Sequence, residues 1–378
     1  METIFTNARV VGRDRTFEGT VVVRGGRIAT VDDAPSRVPG ALDLGGDHLL
    51  PGLVEMHTDN LEKHFLPRPG VVWPSPTAAV ISHDAQIAAA GITTVFDAVA
   101  VGDYGEGHQR RRILADAVEA VTSARDHGLL RAEHLLHLRC EVSDPGVMEI
   151  FRGLNDHPLV RLVSLMDHTP GQRQWMELST YRRFHHAKGW TDAEFDAHLA
   201  DRQEKQRVFA VRHRTGIVSL ARERGHRLAS HDDTTEDHVA EAIAEGITIS
   251  EFPTTVRAAR HARRTGMATV MGAPNVVRGG SHSGNASAIE LAGEGVLDGL
   301  SSDYVPASLL HAAFRLADVP GLALNEAVAM VSANVADMLG LDDRGRIEPG
   351  RRADLVRVRL HDDLPVVRAV WRAGERVI

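Results

Sequence analysis

The sequence predicts an α/β fold: a distorted TIM-type (β/α)8 barrel carrying a small β-sandwich domain built from both chain ends. Three observations predict it. The two ends read as short alternating strands, the long middle reads as strand then helix repeated eight times, and histidines and acidic residues recur where those strands stop.

At the start, TIFTNARVV turns at GRDRTFEG and continues as TVVVRGGRIATV and ALDLGGDHLL, alternating apolar and polar residues between turn signals. The far end, DLVRVRL then PVVRAVWRAGERVI, has the same pattern. Residues 1–49 and 345–378 are therefore expected to form one composite β-domain, joined through the turn GRIEPGRRADL. Residues 50–344 are expected to form the barrel, with strands at 50–57, 92–98, 134–141, 160–168, 226–232, 247–252, 268–274 and 299–304. Helical periodicity falls between them, as at 110–125 and 236–244. One connection, 169–225, is too long for an ordinary barrel loop. It is expected to hold two helices, 192–208 and 213–224, acting as a lid or an oligomer contact.

Composition narrows the class. A chain of 378 residues, 43% hydrophobic and 25% charged, can bury a large core. Its net charge of −8 argues against a nucleic-acid binder, although a locally basic pocket for a small anion is compatible with it. No apolar run approaches the roughly 20 residues that span a bilayer. The start, METIFTNARVVGRDRTF, carries charge where a signal peptide needs an apolar core, and the single Cys140 excludes a disulfide framework. The expectation is a cytoplasmic protein with no membrane partner.

The 21 histidines are clustered, which directs attention to metal ligands. In a parallel barrel the C-terminal strand ends share one mouth. His57 and Asp59 close the first strand in GLVEMHTDN, and their i, i+2 spacing puts both on one face. Glu141 ends the third strand, His168 the fourth, His231 the fifth and Asp303 the eighth. Any one of these alone is an ordinary polar strand end; six in step with a repeated unit form a metal site. Nitrogen and carboxylate donors suit Zn²⁺, Mn²⁺, Fe²⁺ or Co²⁺. Two such ions would let water ionise near neutrality, and Asp303 could take its proton.

The stretch GAPNVVRGGSHSGNAS after the seventh strand offers Arg278, Ser281, His282 and Asn285 to an anion. Arg68, in HFLPRPGV, approaches the same mouth, as do Gln172 and Arg173. The plain alternatives are a flexible Gly/Ser loop and solvated surface arginines.

The phrase LLPGLVEMHTDN resembles the P-G-x-x-x-x-H-x-H/D signature of the amidohydrolase superfamily, and GRIEPGRRADLVRV resembles its return into the terminal β-domain. The resemblance covers nearly the whole chain and implies a metal-dependent hydrolase. Many members bridge their metals with a carboxylated lysine. Here the lysines are Lys63, Lys188 and Lys205, none at a strand end, so Glu141 is the expected bridge, as in members that use glutamate. The family's two single histidines come from strands five and six. Here they fall on four and five, with Glu251 of ISEFPTT on six, which leaves His168, His231 and Glu251 as alternatives for the second ion.

The phrases EMHTDNLEKH, PRPGV, DHTPGQRQ, SHDDTTEDH, SEFPTT and GAPNVVRGGSHSGN together resemble one branch of that superfamily. It serves the carbon–phosphorus lyase pathway and hydrolyses α-D-ribose 1-methylphosphonate 5-triphosphate to the 5-phosphate and pyrophosphate. This implies a small anionic sugar triphosphate as substrate and two divalent ions, zinc with manganese or iron as alternatives. It also implies attack on the phosphorus nearest the ribose, with Asp303 as base and Arg278 and the Gly/Ser loop holding pyrophosphate. The rival within the superfamily is hydrolysis of a C–N bond by a deacetylase, cyclic amidase or deaminase, which would not require the arginine and Gly/Ser set. A non-catalytic scaffold would show an incomplete ligand set. Barrel hydrolases of this kind often pair, so a homo-oligomer is the default.

Overall fold

The computed structural model of the chain describes residues 2–102, 109–186, 189–281 and 284–378. Strands β1 (Glu2–Val11), β2 (Thr16–Arg24), β3 (Arg27–Asp32), β4 (Leu42–Asp43) and β5 (His48–Pro51) come first. The middle holds β6 (Leu53–Thr58), β7 (Ile92–Val101), β8 (Glu133–Glu141), β9 (Val160–Met166), β10 (Arg227–His231), β11 (Ile249–Glu251), β12 (Ala268–Gly272) and β13 (Gly299–Ser301). Strands β14 (Leu355–His361), β15 (Leu364–Arg372) and β16 (Glu375–Arg376) close the chain. Two compact units emerge: Met1–Asp97 with Glu119–Leu135 and Met271–Ile378, and Ala98–Val118 with Leu136–Val270.

The first unit contains the terminal sheet, ordered β16-β15-β14-β5-β1-β2-β3 with β4 beside β1. Phe5 of β1 and Trp371 of β15 stand three strands apart in that order, yet their rings meet edge-on at 4.8 Å. A flat sheet would hold those strands about 14 Å apart. The sheet therefore folds over on itself, enclosing Val10, Val21, Ile28, Leu49 and Leu355 in an apolar core.

The single strand expected over 50–57 is instead two, divided at Gly52. Leu50 pairs with Val356 in the terminal sheet, whereas Leu53 begins a parallel strand beside Ile92. A Cβ at Gly52 would stand 2.3 Å from Thr93 Oγ1 and 2.8 Å from Asp354 Cβ, so only glycine lets the chain pass from sheet to sheet here. Gly52→Ala is expected to cost ~1–3 kcal/mol through this clash. A denaturant titration checks it, and an unmoved midpoint would contradict the packing.

The middle strands form the second sheet in chain order, parallel in each register that is defined. A parallel bridge between Thr58 and Asp303 joins the first strand to the segment leaving the last, giving the (β/α)8 arrangement. Every residue of β7 is buried, as expected of a parallel strand covered on both faces. The phrases SHDDTTEDH and SEFPTT owe part of their pattern to capping. The Thr235 and Thr255 hydroxyls accept from the backbone N–H of His238 and Ala258, starting helices Glu236–Ala244 and Val256–Arg264.

Five expected strands end early: β9 at Met166, β12 at Gly272 and β13 at Ser301 by two or three residues, and β10 at His231 and β11 at Glu251 by one. Beyond β12 the chain turns at once into the helix Ala273–Arg278, so Arg278 is a helical residue rather than a loop residue.

In the second unit, the insertion holds one long helix, Asp192–Glu223, where two were expected, preceded by helix Leu178–His186. Thr191 and Glu194 form a capping box at its start, and no proline interrupts its 32 residues. Among the described residues, no helix is long and apolar enough to cross a membrane.

Candidate metal centre and active site

In the first unit, the alternation of β6 points Glu55 and His57 to the same face, both fully or almost fully buried. One Glu55 oxygen accepts from the His57 N–H at 2.7 Å and the other from the Ser302 N–H at 2.6 Å. Burial pushes the Glu55 carboxyl up to about 7, against the opposing bonds from Ser302 and His57. Asp59 follows at the N-cap of helix Asn60–Phe65, and its side chain does not cap that helix. Asp303 is tied to the same segment through its backbone. Its N–H donates to the His57 carbonyl at 3.1 Å, and its carbonyl accepts from Asp59 N–H at 3.2 Å and Thr58 Oγ1 at 2.7 Å. The structure thus brings His57, Asp59 and Asp303 together.

Asp303 has φ 53°, and Asp232 and Phe252, each just past a strand end, have φ 56° and 54°. Left-handed backbone at a side chain with a Cβ costs on the order of 1–3 kcal/mol and clusters at functional sites. Each such kink re-aims the residue leaving its strand.

In the second unit, Glu141, His168, Asp232, His231 and Glu251 converge. His168 lies two residues beyond β9, so its own hydrogen bonds, and not strand alternation, fix its direction. Its N–H and its Nδ1 contact the two Glu141 oxygens at 3.0 and 2.6 Å. His231 Nδ1 lies 3.3 Å from Glu251 Oε2, which also accepts from Ser164 Oγ at 2.5 Å. His137 Nε2 joins that Ser164 hydroxyl at 2.5 Å. With both Nδ1 atoms engaged by carboxylates, both Nε2 atoms stand 3.6 Å from Asp232 Oδ2. Carboxylates that orient ring nitrogens in this way are the usual outer partners of metal-ligating histidines.

Burial alone would lower the His168 pKa, but the Glu141 charge, the contact with Asp232 and the hydrogen bond His168 donates to Glu141 hold it up at about 9. Burial works against ionised Glu141 too, yet the charge of His168 and then of Arg202 keep it below the usual carboxylate range. These surroundings favour positive charge beside three buried carboxylates, Glu141, Asp232 and Glu251. A divalent cation meets that demand, so the donor set fits one.

Sequence reasoning missed Asp232, His137, Arg202 and the supporting Glu55. The doubled acid of SHDD was the available signal for Asp232. Arg202 comes from the insertion helix and is buried. Arg173, considered for the mouth, is a buried brace: its guanidinium binds Asp233 at 2.6 Å, Glu241 at 3.1 Å and the His231 carbonyl at 3.2 Å. Arg68 and Arg278 are exposed, Ser281 and Asn285 are half-buried, and His282 lies outside the described residues. Lys63 donates to the Tyr304 carbonyl, Lys205 pairs with Asp201, and Lys188 is not among the described residues. Neither described lysine ends a strand.

The comparisons with known proteins agree with this architecture. The model of the Amidohydrolase family matches residues 49–377. The chain belongs to that family, and it is a hydrolase. It is 47% identical over 381 aligned positions to the alpha-D-ribose 1-methylphosphonate 5-triphosphate diphosphatase of Escherichia coli (strain K12), covering 99% of this chain and 100% of that protein. It is 24% identical to the imidazolonepropionase of Deinococcus deserti, covering 96% and 93% of the two chains. Among solved structures, the 5-methylcytosine deaminase from Klebsiella pneumoniae superposes with a TM-score of 0.65 at 16% identity, over 100% of this chain and 97% of the other. At that identity the likeness concerns the fold alone.

Proposed function

We propose that this protein hydrolyses α-D-ribose 1-methylphosphonate 5-triphosphate to the 5-phosphate and pyrophosphate. The observation that carries the reading is the 47% identity, extending over essentially the whole of both chains, to a diphosphatase named for that substrate. The histidine and carboxylate sets at the strand ends support the chemistry.

His57, Asp59, Glu141, His168, His231 and Asp303 would hold two divalent ions, zinc with manganese or iron as alternatives, and Asp232 and Glu251 join the set. When bound, such ions supply Lewis acidity and make water easier to ionise. Asp303 accepts the proton of the water that attacks the phosphorus next to the ribose. The new P–O bond forms there as the bond to the β-phosphate breaks, and pyrophosphate leaves. Glu141 and Glu251 hold the His168 and His231 rings in one orientation and tautomer. Arg68, Arg278, Ser281 and Asn285 offer charge and donors to the triphosphate, because pyrophosphate departs through charge stabilisation and needs no strong acid.

The rival is C–N bond hydrolysis. Metal-reconstituted protein should be offered the ribose triphosphate, an N-acetylated amino sugar phosphate and a cyclic imidazolone. Turnover of the first alone is expected. Turnover of an amide or imidazolone with the triphosphate untouched would overturn the reading.

A further inference from the structure

A separate histidine–carboxylate group lies within the first unit. His83 of helix Pro76–Ala89, Asp97 of β7 and His134 of β8 are 0%, 0% and 1% exposed. His83 Nε2 lies 2.7 Å from Asp97 Oδ1, and His134 Nδ1 lies 2.7 Å from Asp97 Oδ2. The remaining ring nitrogens are also engaged: His83 Nδ1 at 3.1 Å from Asn60 Nδ2, and His134 Nε2 at 3.3 Å from Asp84 Oδ1.

The protons follow from these partners. The Asn60 amide nitrogen can only donate, so His83 Nδ1 accepts and its Nε2–H donates to Asp97. His134 faces a carboxylate at each nitrogen, donates from both and is an imidazolium. Asp84 also accepts from the Arg131 and Ala132 N–H groups, each at 2.9 Å, and from the Arg131 guanidinium at 3.0 Å. Two carboxylates therefore balance one imidazolium and one guanidinium. His83, Asp97 and His134 have the composition of a metal site, but every donor and acceptor is matched and the charges already cancel. A divalent ion would have to expel protons that Asp97 and Asp84 hold in place.

The chain of bonds ends on Asn60, which is 3% exposed and directly follows Asp59. Gln86, one turn along the helix from His83, takes another Asn60 N–H through its Oε1 at 2.9 Å. We propose that this array is a positioning device for Asp59. By clamping Asn60 from helix Pro76–Ala89, it fixes the Asp59–Asn60 peptide and with it the direction in which Asp59 presents its carboxylate to a metal ion. The proposal rests on the reading of Asp59 as a metal ligand.

The test is Zn²⁺ titration of the metal-stripped full chain against a chromophoric chelator, which reads affinity and the number of ions without any turnover. Asn60→Ala and His83→Leu should weaken the affected ion by ~10–100-fold, the usual cost of losing an outer partner. His83→Gln should stay near wild type, because its amide can still accept from Asn60 and donate to Asp97. A merely structural role for His83 would not give that rescue. If His83→Leu fails to fold, Asn60→Ala carries the test, since it leaves the buried His–Asp–His group intact. Wild-type affinity in Asn60→Ala, with loss in an Asp59→Ala control, overturns the positioning role alone. Unchanged affinity in Asp59→Ala overturns the metal-ligand reading and the proposal with it. One ion fewer in His83→Leu, with the others at full affinity, would make the group a metal site and also overturn the proposal.

Discussion

Asp303→Asn is expected to lower the rate of pyrophosphate release by ~10²–10⁴-fold, the range a general base contributes. The fold should survive. Asp303 sits at φ 53°, a conformation asparagine tolerates as well as aspartate does. Its backbone bonds to His57, Thr58 and Asp59 do not involve the carboxylate. Asparagine keeps the size and an oxygen but cannot take a proton at neutral pH. Steady-state rates with metal content measured alongside check this. Near-normal turnover by the variant would remove Asp303 from the role of base.

The largest effect on stability is expected at Asp97. Asp97→Ala leaves the His134 imidazolium buried with only Asp84, and leaves His83 Nε2 without its acceptor. Breaking a buried ion pair from one side costs ~3–5 kcal/mol. The unfolding midpoint should fall far more than in Asp33→Ala, which removes an exposed pair with Arg15. The same group gives stability a pH dependence. Burial would lower the His134 pKa, but the Asp97 charge and bonds to Asp84 and Asp97 raise it to about 9 from 6.5. Below about 6.5 the folded and unfolded chains both hold the proton, so the stabilisation is complete. Between 6.5 and 9 only the folded chain holds it, so stability falls as pH rises through that window. Thermal scans from pH 6 to 10 should show that decline in wild type and lose much of it in His134→Gln. Metal content must be matched, because His168 would otherwise add a slope of the same sign.

The barrel could be read from the sequence because strand and helix periods alternate regularly, and residues such as His57, Glu141 and His231 stand where strands stop. What escaped has physical causes. The run LLPGLVEM is apolar throughout, so its pattern does not show that Gly52 hands the chain from one sheet to the other. Nothing between 208 and 213 breaks a helix, so the expected division of the insertion has no stop signal behind it. Asp232 adjoins His231, and strand alternation would send neighbours to opposite faces. The left-handed turn at Asp232 cancels that rule and puts its carboxylate 3.6 Å from two imidazoles. His83, Asp97 and His134 are far apart in the chain, and each alone looks like an ordinary buried polar residue. Only the fold shows that they share protons.

Hydrolysis of the ribose 5-triphosphate by metal-loaded protein in ¹⁸O-labelled water, with both products weighed by mass spectrometry, shows which phosphorus is attacked and what leaves. One unlabelled pyrophosphate per turnover is expected, with a single ¹⁸O atom in the sugar 5-phosphate. Label in the pyrophosphate would place the attack on the wrong phosphorus, and orthophosphate as the first product would contradict the diphosphatase reading itself.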